Sequence, residues 1–526
     1  VRANKKHWKE DDMRKKVSII GAGIAGLSTG CYLQMNGYDT QIFEMHDKPG
    51  GLCTAWERKG YTIDGCIHWL VGSGPNDPFY NLWNELLDME KIEFVDHEEY
   101  IRVEDRKGNF ISVYTDVDRL EAEMLERAPE DKELILEFIN AVRKFSGFNL
   151  PIEKAPETYT PLDALKSLIK SLPYFKAFRK WGGITLREYA EQLTNPLLRK
   201  TFLSMFWPEI AAIFVVMSLV WMNRKSAGYP IGGSLKFSSL IGEKYLKLGG
   251  KINYRSKVSR IITENNSAKG IILDNGEAYS SDMVISAADG YSTIFKMLKG
   301  KYTDQKIRYC YEHYETFPSY VQVSFGISRR FEKEAHLSVF PLIKPVTIDD
   351  SMSYESIAVR IFNFDPTLSP EGKTLITVIL PTHNYKYWDN LRTHDLARYR
   401  KEKERIADEV IEALENRYGD IRANLDMIDV STPSTVIRYT NNWKGSLEGW
   451  VLSPKIGFKS MKKTLPGLKN FYMAGQWVEP GAGLPTAIMS GRNVSQIICK
   501  EDKRLPFKTS LAQRISWEDR SATLHL

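Results

Sequence analysis

The 526-residue chain is poor in cysteine: Cys31, Cys53, Cys66, Cys310 and Cys499 are five in number, widely spaced, and form no C-x-x-C. Neither a cysteine zinc site nor a disulfide framework is indicated, and a reducing cytoplasm is the simplest setting. An apolar run of bilayer length is also missing. The longest, 210–222, has thirteen residues where a spanning helix needs about 20. It reads as a buried core segment, with the lining of an apolar cavity as the other option. Net charge is only +6, too mild to suggest a nucleic-acid partner. No Ser/His/Asp arrangement and no metal-ligand cluster is recognisable, so hydrolase and metal-centred readings have no support. Internal repeats and low-complexity tracts are absent. Residues 1–15 are polar and charged without an apolar h-region, which reads as a disordered leader and not as a secretory signal.

Against these absences stands one dense stretch. Residues 17–51 read VSIIGAGIAGLSTGCYLQMNGYDTQIFEMHDKPGG. A Gly21-x-Gly23-x-x-Gly26 pattern carries weight only between a strand and a helix. Residues 16–20 form a short β-branched run suited to a buried parallel strand. The residues after Gly26 have helical spacing, Gly37 is a plausible stop, and 40–44 reads as a second strand. The pattern predicts a βαβ unit. Gly21 would permit the tight turn, Gly23 a close backbone approach to a pyrophosphate, and Gly26 close helix–sheet packing. The helix N-terminus would supply free N–H groups to the phosphates. Glu44, 23 residues after Gly21, would take the ribose hydroxyls and disfavours the 2′-phosphate of NADP. A chance glycine-rich turn is the competing reading. Gly50-Gly51 offers a second close approach just beyond strand two, where NAD dehydrogenases usually continue into another βα unit.

From this point the chain resembles the amine-oxidase-like FAD superfamily. Within it, the resemblance is to the branch of phytoene desaturases, carotenoid cis–trans isomerases and retinol saturases. It rests on 21–74 together with three further blocks in matching order: SAGYPIGGSLKFSSLIGEKYLKLGGKI (226–252), VSRIITENNSAKGIILDNGEAYSSDMVISAAD (258–289) and FYMAGQWVEPGAGLPTAIMSGRNVSQIIC (471–499). The resemblance implies FAD. Its cofactor residues would be Gly21, Gly23, Ala25, Gly26 and Glu44, with Gly50, Gly51 and Thr54 along the pyrophosphate and ribityl chain. Val258 would meet the adenine through its backbone. Gly475 and Gln476, with Gly483, Leu484 and Pro485, would frame the ribityl and isoalloxazine. The last block also makes sense by itself, as a strand over 471–474, a glycine-rich turn, and a helix from about Pro485 aimed at a negative group. Two departures stand out: Leu52 where many relatives carry Arg, and Gln476 where many carry Asp. Leu52 and the segment GYTIDGCIHWLVG move the chain away from amine oxidases proper.

The implied fold class is α/β. A Rossmann-like FAD-binding domain, a parallel sheet with a crossover β-meander, would be assembled from 16–75, 225–300 and 440–500. It would be interleaved with an α+β substrate-binding domain from 76–224 and 301–439, leaving a tail over 501–526. The active site would then lie between the two. Residues 397–420 predict an amphipathic helix with Ile406, Val410, Ile411 and Leu414 as its buried stripe. Residues 431–450 resemble the loop that re-enters the FAD domain. Residues 161–183 hold leucines at helical spacing, five basic side chains against Asp163 alone, and Phe175, Phe178 and Trp181. Such an element is either an ordinary surface hairpin or one that lies on an anionic membrane.

Flavin chemistry on a lipophilic polyene or isoprenoid is the expected activity: desaturation, saturation or cis–trans isomerisation of C=C/CH–CH bonds, with hydride passing through flavin N5. The electron partner could be a quinone, oxygen, a ferredoxin-like donor or transiently bound nicotinamide. GSGPND (72–77) is not expected to open a helix after a strand, so a second dinucleotide domain is not expected. Two side chains are candidates for catalysis, His68 as an acid and Glu479 as a tuner of the flavin, each with packing or hydrogen bonding as the plainer role. Competing functions are an amine oxidase or polyunsaturated fatty-acid isomerase on the same fold, and a non-catalytic prenyl-lipid escort, as in the Rab GDP-dissociation inhibitors. The intact glycine blocks argue against the escort.

Overall fold

A computed structural model describes residues 14–457, 461–479, 481 and 483–510. Most of the leader, and the tail beyond residue 510, lie outside the described residues. The β-branched run KVSII becomes the strand Lys16–Ile20, buried at all but its first position. It is central in a five-stranded parallel sheet whose order is Lys251–Asn253, Asp39–Phe43, Lys16–Ile20, Met283–Ser286, Phe471–Met473. Three stretches far apart in sequence thus form one sheet. Strands buried on both faces need no polar alternation, which is why these segments read as apolar runs. An antiparallel meander, Val258–Glu264, Ser267–Leu273 and Ala278–Ser280, links the edge strand Lys251–Asn253 to Met283–Ser286. This is the α/β class with parallel sheet and crossover meander that the sequence predicts.

The helix Ile24–Met35 is buried along its whole length, Ser28 and Thr29 included. Helix Leu484–Glu501 lies along it so closely that a Cβ on Gly491 would sit 2.8 Å from the Ala25 carbonyl oxygen. The apolar run 210–222 supplies the buried helix Ile213–Asn223, as its composition implies.

A second sheet has seven strands in the order Leu425–Ser431, Ser319–Ile327, Thr374–Thr382, Ser353–Ile361, Leu337–Thr347, Glu99–Glu104, Phe110–Tyr114. Helix Leu396–Tyr418 covers one face, burying Ile406, Val410, Ile411 and Leu414. Its opposite face meets the strand Tyr61–Asp64. The Tyr61 ring fills the space a Cβ on Gly326 would need, and Gln322 Nε2 donates to the Asp64 carbonyl at 3.0 Å.

One local expectation is corrected. GSGPND does follow a strand and open a helix: Leu70–Val71 precedes it, and Asp77 caps Pro78–Asn84 by accepting from Phe79 N–H at 2.8 Å. The strand is two residues long and pairs antiparallel with Ala227–Pro230, so no βαβ unit results. The element at 161–183 consists of two short helices. Pro173 lacks an N–H, and the chain breaks into Pro161–Ser171 and Phe175–Trp181 around a 3₁₀ turn.

Candidate active site

Three glycine-bearing turns meet at the carboxyl ends of the parallel strands. In the first, a Cβ on Gly26 would lie 2.0 Å from the Gly21 carbonyl oxygen, so no other residue fits there. Gly23 immediately precedes helix Ile24–Met35, and no side chain caps that N-terminus. The second turn lies on the first: Gly50 N–H donates to the Ala22 carbonyl at 2.9 Å, and a Cβ on Gly51 would be 3.3 Å from Gly23 Cα. Gly50 has φ +114°, open only to glycine without strain. Thr54 follows, its N–H donating to the Leu52 carbonyl at 3.0 Å. The third turn brings Gly475 against Ala25, at 3.4 Å from the position of an added Cβ to the Ala25 Cβ. Gln476 Nε2 donates to Asn442 Oδ1 at 3.3 Å. Gly483 then precedes Leu484 and Pro485, which open the second long helix, again with no side-chain cap.

Glu44 closes the far end. It is buried; Oε2 accepts from Ala22 N–H at 2.7 Å and Oε1 from His46 N–H at 2.8 Å. Burial raises its carboxyl above the ordinary value against those backbone bonds. Ser256 N–H donates to the Glu44 carbonyl at 2.8 Å, so buried Val258 enters the meander close by. Two uncapped helix N-termini, a glycine surface that any Cβ would fill, and a buried acceptor carboxylate fit the diphosphate and ribose of a dinucleotide. Every cofactor residue expected from the sequence lies on one of these turns, at Glu44, or at the start of the meander. Pro480 and Ala482 lie outside the described residues.

The two catalytic candidates part company. Glu479 is held in an ion-pair triad: Lys463 Nζ is 2.6 Å from Glu479 and 2.7 Å from Glu157, with the lysine almost wholly buried. Burial raises the Glu479 carboxyl, opposed by Lys463. That partnership makes it a fastener of the third turn. His68 lines a cavity beyond the Tyr61–Asp64 strand, and burial with the nearby Arg360 charge pushes its imidazole well below the ordinary value. That shift holds the ring in its neutral form.

Sequence reasoning passed over Glu448. It lies between Ser446 and Gly449 on the loop that backs the third turn; a Cβ on Gly449 would be 2.8 Å from the Gln476 carbonyl oxygen. Among the described residues the Glu448 carboxyl has no hydrogen-bond or ion-pair partner, and enclosure alone pushes it up to about 7. Around the same loop Trp443, Trp450 and Trp477 gather with Tyr311 and Tyr291. Tyr291 and Trp443 stack at 5.0 Å, and Trp450 meets Trp477 edge-on at 5.1 Å. The only local signal for Glu448 was a carboxylate inside the glycine-flanked stretch GSLEGW.

Comparison with known proteins agrees with this geometry. The family described as flavin containing amine oxidoreductase matches residues 24–499. A 4,4′-diapophytoene desaturase (4,4′-diapolycopene-forming) of Methylomonas sp is 27% identical over 94% of this chain and 97% of its own. A chloroplastic prolycopene isomerase of Daucus carota is 24% identical over 95% of this chain and 83% of its own. Among solved structures, an oxidoreductase from Methanosarcina mazei shares the fold, with TM-score 0.58 and 18% identity over 91% of this chain and 99% of its own. The resemblance to the carotenoid desaturase and isomerase branch is borne out by these relatives.

Proposed function

The chain belongs to the flavin containing amine oxidoreductase family and is an FAD-dependent enzyme, and from that premise we propose that it acts on C=C/CH–CH bonds of a lipophilic polyene or isoprenoid. The observation that carries this reading is a buried aromatic cluster beside an FAD cradle, with one carboxyl that has no partner among the described residues. The Gly21–Gly26 turn, Glu44, Gly50, Gly51, Thr54, Val258 and the Gly475–Pro485 turn would hold FAD, which would supply two-electron exchange with carbon. The protein does the rest. The tryptophans around Trp450 pack on one another behind the third turn and exclude water from that side of the cofactor, which suits an apolar substrate. Desaturation removes a second hydrogen as a proton, and saturation needs one returned. Glu448, poised near neutrality, is placed to hold that proton at a carboxyl oxygen. Its location in the cradle's backing loop favours it over Glu479, which is spent on Lys463.

The substrate's source is the second part of the reading. Helix Pro161–Ser171 buries none of its residues, and Leu162, Leu165, Leu168, Ile169, Leu172 and Phe175 are each between 52% and 64% exposed. Thr160 and Asp163 form a capping box that secures the start of the helix. Trp181, Phe178 and Tyr174 anchor the far end against Phe138, Phe145 and Phe148. Lys166, Lys170, Lys176 and Arg179 are exposed beside the apolar stripe. This surface lies on an anionic bilayer, where each leucine or phenylalanine returns about 1.5–3 kcal/mol on burial. No helix among the described residues is long and apolar enough to cross a membrane. Lipid extracted from the purified holoprotein and identified by mass spectrometry tests the reading. A polyene or isoprenoid supports it; an amine substrate with hydrogen peroxide release, or tight prenyl binding by flavin-free protein, replaces it.

A further inference from the structure

Beyond the cradle, one cavity contains a charge that nothing among the described residues pairs. It has a volume of about 180 Å³ and opens near Asp96, Glu98, Thr115 and Lys225. Its inner wall is His68, Tyr100, Met222, His97, His336 and Arg360. Arg360 lies on strand Ser353–Ile361, whose Ile357, Val359 and Ile361 face the Leu396–Tyr418 helix. By strand alternation Ala358 and Arg360 face the other way, toward the cavity. Arg360 as a residue is 7% exposed. Among the described residues it makes no hydrogen bond and no ion pair. Burial pulls it down to about 10, offset by Tyr100, Tyr229 and Asp64.

The nearby carboxylates are already engaged. Asp64 accepts from Cys66 N–H, Ile67 N–H, Ser234 N–H and Ser234 Oγ–H. Glu98 pairs with Arg119 at 2.9 Å, and Asp96 is beside Lys225. His97 and His336 stack at 3.6 Å with their planes 7° apart, and His97 Nε2 is buried without a partner. Both rings are pushed toward neutrality by burial and by Arg360, His97 to about 4. A buried cation without a counter-ion is strongly disfavoured, and a bound anion removes that penalty.

We propose that this cavity receives the carboxylate of a long-chain lipid acid, with Arg360 as its bidentate partner and the His97–His336 stack as neutral hydrogen-bonding wall. One fixed cation beside two stacked neutral rings matches a monoanion. A diphosphate would need more cations and would meet Asp96 and Glu98 at the mouth. A cavity of this size holds a headgroup and a few carbons, since one water occupies about 30 Å³. The chain of the acid leaves past His68 and Trp69, toward the segment that follows the Gly50–Gly51 turn. The inference deepens the lipid reading and rests on it for the course of the chain; the anion site stands on Arg360.

The test is calorimetric titration of the FAD-loaded protein with geranylgeranoic acid, oleic acid, geranylgeraniol, geranylgeranyl diphosphate and a C30 polyene hydrocarbon. The wild type is expected to bind at least one of the two acids about tenfold or more tightly than the alcohol, since charge-assisted bidentate bonds exceed neutral ones. Which acid wins separates an isoprenoid from a straight-chain source. Arg360→Gln should erase the preference for acid, and Arg360→Lys should keep part of it as a point charge. The wild-type comparison needs no variant to fold. Equal binding of acid and alcohol, no binding of either acid, or tighter binding of the diphosphate overturns the carboxylate site. The hydrocarbon arm reports on the polyene reading separately: hydrocarbon bound without acid preference keeps that reading and removes this one.

Discussion

The glycine cradle and the side-chain wall, which has one part around Glu448 and a separate part around Arg360, are assembled from segments hundreds of residues apart, but different parts of the chain specify them. The cradle is made of backbone. Its function depends on side chains that are missing, on two uncapped helix ends, and on a few polar side chains, Glu44, Thr54 and Gln476. The wall is made of side chains whose chemistry depends on what surrounds them: a carboxyl raised by enclosure, a guanidinium without a partner, imidazoles held neutral. Substitution should therefore affect the cradle through shape and cofactor loading, and the wall through turnover and substrate choice with the cofactor still in place.

The harshest test of that division is Gly26→Val. The new Cβ would fall 2.0 Å from the Gly21 carbonyl oxygen, a clash beyond the ~1–3 kcal/mol of ordinary overpacking. The variant should carry no flavin, read as absorbance per mole of protein. A yellow, fully loaded Gly26→Val protein would break the comparison. Next is Glu448→Gln, expected to lower kcat by about 10²–10⁴-fold, the usual contribution of a positioned acid or base, with FAD content unchanged. If Glu448 acts as a base, wild-type kcat should rise with pH through about 7, where its carboxyl ionises, and the variant should lose that step. A flat wild-type profile would return Glu448 to a packing role.

Glu44→Ala sharpens the cradle side. Losing hydrogen bonds from a carboxylate to the ribose costs about 1.5–3 kcal/mol, or roughly 10–100-fold in FAD affinity, measured by equilibrium dialysis. Because burial raises the Glu44 carboxyl, its charged acceptor form is lost as pH falls, sooner than for an exposed glutamate. FAD retention should weaken on acidification in the wild type and not in the alanine variant. The smallest effect on the folded protein should come from Leu165→Asp with Ile169→Asp. Both residues are more than half exposed, so stability should change by no more than about 0.5 kcal/mol, while sedimentation with anionic vesicles drops. Ile411→Ala is the counterpart on the covered helix and should cost about 2–5 kcal/mol.

The same contrast explains what the sequence made legible. Gly21, Gly23, Gly26, Glu44 and Gly50-Gly51 stand at spacings the backbone geometry dictates, so they could be read in order along a short stretch. The helix over 396–418 was equally readable, because its apolar period is local. GSGPND was misread because a two-residue strand and a capping aspartate leave too little pattern to distinguish a helix start from a loop. Arg360 had no local signature beyond one charge in the alternating strand SIAVRI. His97 and His336 are 239 residues apart in the numbering and meet only through the parallel pairing of strands Glu99–Glu104 and Leu337–Thr347. Glu448 was overlooked for Glu479 because both lie in glycine-bearing stretches, and only the fold reveals that Lys463 neutralises one and no described residue pairs the other.

The central claim, an FAD enzyme that works on conjugated lipid, is tested most directly by following a C30 polyene in anionic vesicles by absorbance and chromatography, with FAD-loaded protein under oxidising and then reducing conditions. The account predicts a flavin-dependent change in the polyene: a longer chromophore for desaturation, a shorter one for saturation, or an altered isomer pattern without net redox change. An unchanged polyene under both conditions, while the same preparation oxidises an amine and releases hydrogen peroxide, would contradict it.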